Sequence, residues 1–127
     1  MTNLELSQLA RDIAKKAYAP YSNFRVGAAL ITSSGNIYTG CNIENASYPA
    51  TVCAEDVAVV KAISEGETEI DIIAVACIDA KSDTAIFPCG ISRQRLAEFG
   101  TKKVLVVTEN SFKEYTFDEI LPFNFKF

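Results

Sequence analysis

The 127-residue sequence contains no histidine. That excludes Ser-His-Asp and Cys-His nucleophilic catalysis, and any metal held by imidazole. It also has no apolar run near the roughly 18 residues of a spanning helix. The opening Met1-Thr2-Asn3-Leu4-Glu5 has neither the basic flank nor the apolar core of a secretory signal, so the expected location is the cytoplasm. Basic residues are in the minority, 12 Lys and Arg against 16 Asp and Glu, for a formal charge of −4. No basic stripe stands out. The balance argues against a nucleic-acid polymer or a membrane as partner and favours a small neutral molecule.

What is present is a folded composition, 49% hydrophobic, long enough for one domain spanning 1–127 with a substantial core. Leu6, Leu9, Ala10, Ile13, Ala14 and Ala17 recur at helical spacing, predicting a helix over 4–17 with Thr2 and Glu5 as a capping box and Pro20 as its stop. A hairpin follows, with strands over 24–32 and 37–42 joined by Ser33-Ser34-Gly35-Asn36. Residues 43–52 lack periodicity and read as a loop of functional length. From Cys53 to Glu65 the chain is apolar almost all round, as in a buried helix. A strand over 70–78, a helix over 89–99, a strand over 103–107 and a capped turn from Thr116 through Leu121 complete the series. The order α, β, β, α, β, α, β implies a mixed sheet with helices on its faces.

Four cysteines are present: Cys41, Cys53, Cys77 and Cys89. Cys41 and Cys77 lie in apolar runs and read as small buried hydrophobes. Cys53 and Cys89 open predicted helices, where free N–H groups and the dipole favour a thiolate. Two thiolates brought together are natural zinc ligands. Glu55, two residues beyond Cys53, can reach a metal-bound water without being a ligand. Zinc lowers the pKa of such a water to about 7, and a zinc hydroxide with a glutamate proton shuttle is the equipment of a pyrimidine deaminase. Taken alone, Cys53 and Cys89 also read as buried structural cysteines, Asp56 as a first-turn acid favoured by the dipole, and Ser92 as a filler.

The segments Cys53-Ala54-Glu55 and Pro88-Cys89-Gly90-Ile91-Ser92 resemble the C-A-E-R and P-C-G-A-C-R-Q patterns of the small tetrameric cytidine deaminases. Ala17-Tyr18-Ala19-Pro20-Tyr21-Ser22-Asn23-Phe24-Arg25-Val26-Gly27 and Gly40-Cys41-Asn42-Ile43-Glu44-Asn45-Ala46-Ser47-Tyr48 resemble further stretches of that family, as do Leu121-Pro122 and Phe125. The resemblance implies an α/β fold, a three-layer α-β-α sandwich around a five-stranded mixed sheet, assembled as a homotetramer. It implies Zn2+ as cofactor and hydrolytic deamination of cytidine or deoxycytidine, with Glu55 as the catalytic proton shuttle. Asn42 and Glu44 would hold the ribose, Phe24 and Phe125 would line the pocket, and Ala46 and Tyr48 would contribute through subunit contacts.

Two positions depart from that family. Position 92 is Ser where the family has a third zinc cysteine, and position 56 is Asp where it has an arginine facing the thiolates. One account has zinc held by Cys53, Cys89 and Asp56, because residues three apart on a helix share a face and the Asp56 charge replaces the missing thiolate. A second makes Ser92 the oxygen ligand, directly or through water. A third has the metal weakened or lost. The corresponding functional rivals are a nucleoside-binding protein without turnover and a deaminase of a modified pyrimidine nucleoside.

Overall fold

A computed structural model describes residues 1–127. Its elements are α1 (Asn3–Ala14), β1 (Val26–Thr32), β2 (Ile37–Cys41), α2 (Ala54–Ser64), β3 (Ile70–Cys77), α3 (Gly90–Glu98), β4 (Lys103–Val107), β5 (Phe112–Thr116) and α4 (Phe117–Ile120). The five strands form one sheet in the order β2-β1-β3-β4-β5. The β3–β4 pair is parallel and the other three pairs are antiparallel. This is the mixed, five-stranded sheet expected.

Strand periodicity divides the core between two layers. Ala28, Leu30, Ile73, Val75, Val104 and Val106 point to one face, where they pack with Ala54, Ala58, Val59 and Ala62 of α2 and Leu96 of α3. Ala29, Ala74, Ala76, Leu105 and Val107 point to the other, against Leu6 and Ala10 of α1. Two glycines let the helices lie close to the sheet. A Cβ on Gly27 would fall 2.0 Å from the Ala10 carbonyl oxygen in α1. One on Gly40 would fall 2.5 Å from the Ala54 carbonyl oxygen and 2.6 Å from the Ala58 nitrogen in α2.

Both capping boxes form, Thr2 with Glu5 on α1 and Thr116 with Glu119 on α4. α1 stops at Ala14, earlier than Ala17, because the Tyr18 backbone is taken up elsewhere. Its N–H donates to the Asn42 carbonyl at 3.0 Å, and its carbonyl accepts from the Glu44 N–H at 2.8 Å. α2 is not buried all round: Val60 is exposed and Val57 and Ile63 are only half-buried, because a helix covering one sheet face has an outer side. The sequence pattern also misses β5. Its segment Phe-Lys-Glu-Tyr-Thr carries charge on an edge, as edge strands do, so it lacks the apolar signature of β3 and β4. Cys77 is buried as expected, whereas Cys41 is only partly so. No helix is long and apolar enough to cross a membrane.

Candidate functional site

The sheet delivers its chemistry where α2 and α3 begin. Cys53 is the residue immediately before α2 and Cys89 the residue immediately before α3. Both are free thiols, and their sulfurs stand 4.0 Å apart. Two ligands of a tetrahedral zinc at its usual Zn–S length are about 3.8 Å apart. The pair therefore suits that metal, although the residues are 36 apart in sequence. Glu55 lies in the first turn of α2 and is 4% exposed.

These three residues line an open pocket of about 430 Å³ together with Phe24, Asn42 and Glu44. A volume of that size suits a small molecule. Ala85, Ile86 and Phe87, from the loop before Cys89, form an apolar wall that the sequence reading did not assign. The one signal for it was an aromatic preceding the Pro88-Cys89 step.

Asn42 is buried and held at both ends of its amide. Its Oδ1 accepts from the Val26 N–H at 2.8 Å, and its Nδ2 donates to the Phe24 carbonyl at 2.8 Å. Asn42 thus fixes the strand entry that carries Phe24. Glu44 is gripped from the segment before it. Its Oε1 accepts from the N–H groups of Tyr21, at 2.9 Å, and Ser22, at 3.1 Å, while Oε2 accepts from the Ser22 hydroxyl. The Ser22 hydroxyl, then the two amides, hold the Glu44 carboxyl below its ordinary range although burial opposes them. Ser22 is a functional support that sequence reasoning passed over. Arg25, next to Phe24, is clamped through its backbone and guanidinium to Asp79, whose carboxyl is drawn down to about 2 chiefly by that guanidinium.

The loop at 43–52 is organised rather than loose. Ile43 pairs with Val52 and with Tyr18, and Tyr48–Ala50 form a 3₁₀ turn. Tyr48 is exposed and meets Tyr21 edge-on, with ring centroids 6.0 Å apart. Neither Ala46 nor Tyr48 lines the pocket that holds Glu55, and neither does Phe125. Phe125 lies with Ala97 and Gly100 by the end of α3, its carbonyl accepting from Gln94 Nε2 at 3.2 Å, and its ring is exposed.

The two thiols are not equivalent. Neither side chain caps its helix by a hydrogen bond, contrary to the simplest dipole expectation. Burial, reinforced by the carboxyl of Glu55, pushes the Cys53 thiol up to about 12. Cys89 is also raised by burial, but the amides of Ser92 and Ile91, the Ser92 hydroxyl and the Cys53 thiol outweigh that and bring it below its ordinary value. Burial raises the Glu55 carboxyl above its ordinary range. A carboxyl so shifted holds a proton more readily than an exposed glutamate does.

Asp56, the third residue of the expected ligand set, is engaged towards α3 through one of its two oxygens, the other being buried without a hydrogen-bond partner. No group of three or more Cys, Asp or Glu side chains is arranged to hold a metal ion. Asp56 is buried and turned to α3, where its Oδ2 accepts from Arg95 Nη1 at 2.6 Å and from the Ser92 hydroxyl at 3.3 Å. An ionised carboxylate with a guanidinium at hand goes to the guanidinium. Arg95 is three residues after Ser92 on α3, a spacing that puts both on the face towards α2. The sulfurs of Cys53 and Cys89 and the Glu55 carboxyl line the pocket, and the buried Ser92 oxygen stands 3.6 Å behind the Cys89 sulfur.

Two free thiols beside a buried carboxyl, lining one pocket of a mixed α/β fold, are parts that suit a hydrolase site. Comparison with known proteins narrows that class. A profile described as "Cytidine and deoxycytidylate deaminase zinc-binding region" matches residues 1–108. Among similar proteins, a cytidine deaminase of Halalkalibacterium halodurans is 45% identical over 109 residues, covering 84% of this chain and 80% of that protein. The crystal structure of a cytidine deaminase from Burkholderia pseudomallei superposes with a TM-score of 0.90 at 38% identity, covering 98% of this chain and all of that one. One from Mycobacterium tuberculosis gives 0.81 at 34% identity, over 97% and 96% of the two chains. This chain belongs to the cytidine and deoxycytidylate deaminase family.

Proposed function

We propose that this chain hydrolyses the 4-amino group of free cytidine and deoxycytidine, giving uridine or deoxyuridine and ammonia. The observation that carries the reading is the sequestered Glu55 carboxyl beside the Cys53–Cys89 pair on the pocket floor. A pure binding module has no use for a proton shuttle there.

Cys53 and Cys89 would hold zinc. When bound, zinc acts as a Lewis acid that acidifies water and makes it nucleophilic near neutral pH. Glu55 takes one proton from the attacking water and delivers it to the ring nitrogen beside C4, then takes the second from the hydroxyl left on C4 and delivers it to the departing amine, which leaves as ammonia while C4 becomes a carbonyl. Burial keeps its carboxyl out of competition with solvent. Glu44, already oriented by Tyr21 and Ser22, has one lone pair left, on Oε2, to accept from a ribose hydroxyl. Asn42 keeps one amide N–H to donate to a ribose oxygen while its other N–H holds the Phe24 carbonyl.

Phe125, Ala46 and Tyr48 act across a subunit boundary in a homotetramer. In support, each lies outside the pocket of its own chain, and Tyr48, Val60, Phe123, Phe125 and Phe127 leave apolar surface exposed. A reduced dithiol site suits the cytoplasm.

The test is a substrate panel of cytidine, deoxycytidine and a cytosine-containing single-stranded oligonucleotide, with zinc present and products resolved by chromatography. Equimolar ammonia and deaminated nucleoside are expected from the first two, with no conversion of the oligonucleotide. Nucleoside binding without product would overturn the assignment.

A further inference from the structure

We infer that Ser92, oriented by Asp56, is the oxygen donor that completes the metal shell of Cys53 and Cys89, so that Asp56 is a positioning residue and not a ligand. The inference rests on the zinc-dependent reading above and names the third member of its shell.

Ser92 is fully buried in the first turn of α3. Its hydroxyl oxygen accepts from the Cys89 thiol at 3.6 Å, and it neighbours the Cys53 thiol and the Glu55 carboxyl. Its own proton goes to Asp56 Oδ2 at 3.3 Å. A hydroxyl has one proton and two lone pairs. With that proton directed to Asp56, a lone pair accepts from the Cys89 thiol. The lone pair that now receives the Cys89 S–H is released when that cysteine binds metal, because a ligating thiol loses its proton.

Asp56 is itself fixed. Its side chain is 3% exposed and bound through Oδ2 to Arg95, whose guanidinium end reaches solvent at 52%, while its Oδ1 is buried with no hydrogen-bond partner. Arg95, Asp56, Ser92 and Cys89 therefore form one continuous hydrogen-bonded line from surface to sulfur. A neutral hydroxyl alone is a weak zinc donor. A carboxylate accepting its proton strengthens and aims it, as carboxylates behind metal-bound imidazoles do. Charge agrees. Two thiolates balance Zn2+, and the Asp56–Arg95 pair is neutral by itself.

Cobalt(II) binding, followed by thiolate-to-metal absorption and by competition with a chelator, tests this without reference to turnover. Ser92→Ala and Asp56→Asn are each expected to weaken cobalt binding about 10- to 100-fold. The double variant should bind no more weakly than Ser92→Ala alone, because Asp56 acts through Ser92. Ser92→Cys should raise the thiolate absorption per cobalt by about half, as two sulfur ligands become three. An unchanged affinity in Ser92→Ala, or an Asp56→Asn penalty that persists in the Ser92→Ala background, would overturn the inference while leaving the metal site standing. Absence of any thiolate absorption in the unaltered protein would instead contradict the zinc reading beneath it. Circular dichroism of the metal-free variants checks folding. Arg95→Gln, on the exposed end of the same line, replaces Asp56→Asn should that variant not fold, with the same non-additivity expected.

Discussion

Glu55 and Glu44 show how residue type and residue setting divide the work of one pocket. Both are glutamates on the same cavity, yet their carboxyls are displaced in opposite directions. Burial without a strong partner pushes Glu55 up, whereas the donors of Ser22 and Tyr21 bring Glu44 down. The first is suited to exchanging a proton, the second to staying ionised as an acceptor. Replacing Glu55 by Gln keeps size and removes the exchangeable acid. Turnover of cytidine should fall by at least about 10²- to 10⁴-fold. Calorimetric binding of cytidine should remain close to that of the unaltered protein. Undiminished turnover in this variant would remove Glu55 from the mechanism. At this scale Glu55 and the two thiols are legible in the sequence, because each is tied to a helix start. The roles of Ser22 and Arg95 are not. Each acts on a carboxylate far along the chain, Glu44 and Asp56 respectively, and no local pattern records such a pairing.

The elements matter to the site through where their ends fall. α2 must approach β2 closely enough for Cys53 and Glu55 to meet Cys89 beneath the pocket, and Gly40 makes that approach possible. In Gly40→Ala the new methyl would meet backbone atoms of α2 at 2.5 and 2.6 Å, atoms that can move only by shifting the helix. A loss of about 1–3 kcal/mol in urea-unfolding stability is expected. Activity should fall as well, because the displaced helix carries Glu55. An unaltered unfolding midpoint would show that the layers have slack. Apolar alternation and the two capping boxes made β1, β3, β4, α1 and α4 readable from sequence. β5 escaped because an edge strand need not be apolar, and the end of α1 was misplaced because the Tyr18 backbone pairs with a segment more than twenty residues away.

For the whole molecule, the acidic balance and the concave pocket favour a free nucleoside over a polyanion, while the uncovered aromatics point to further copies of the chain. Light scattering should give a mass four times that of the 13.8 kDa chain. A monomer with full activity would dissociate Phe125 and Tyr48 from the reaction. Family resemblance carried the fold class through to the structure. It could not settle the metal shell, where this chain departs from the family and where the partners of Asp56 and Ser92 depend on how α2 and α3 meet.

The central claim is that a thiol-held zinc and the pocket above it make one deaminase. The most direct test removes the metal with a chelator and restores zinc stepwise while uridine formation from cytidine is followed. The account predicts no turnover in the stripped protein and recovery that saturates at about one zinc per chain. Turnover that survives complete removal of the metal would contradict it.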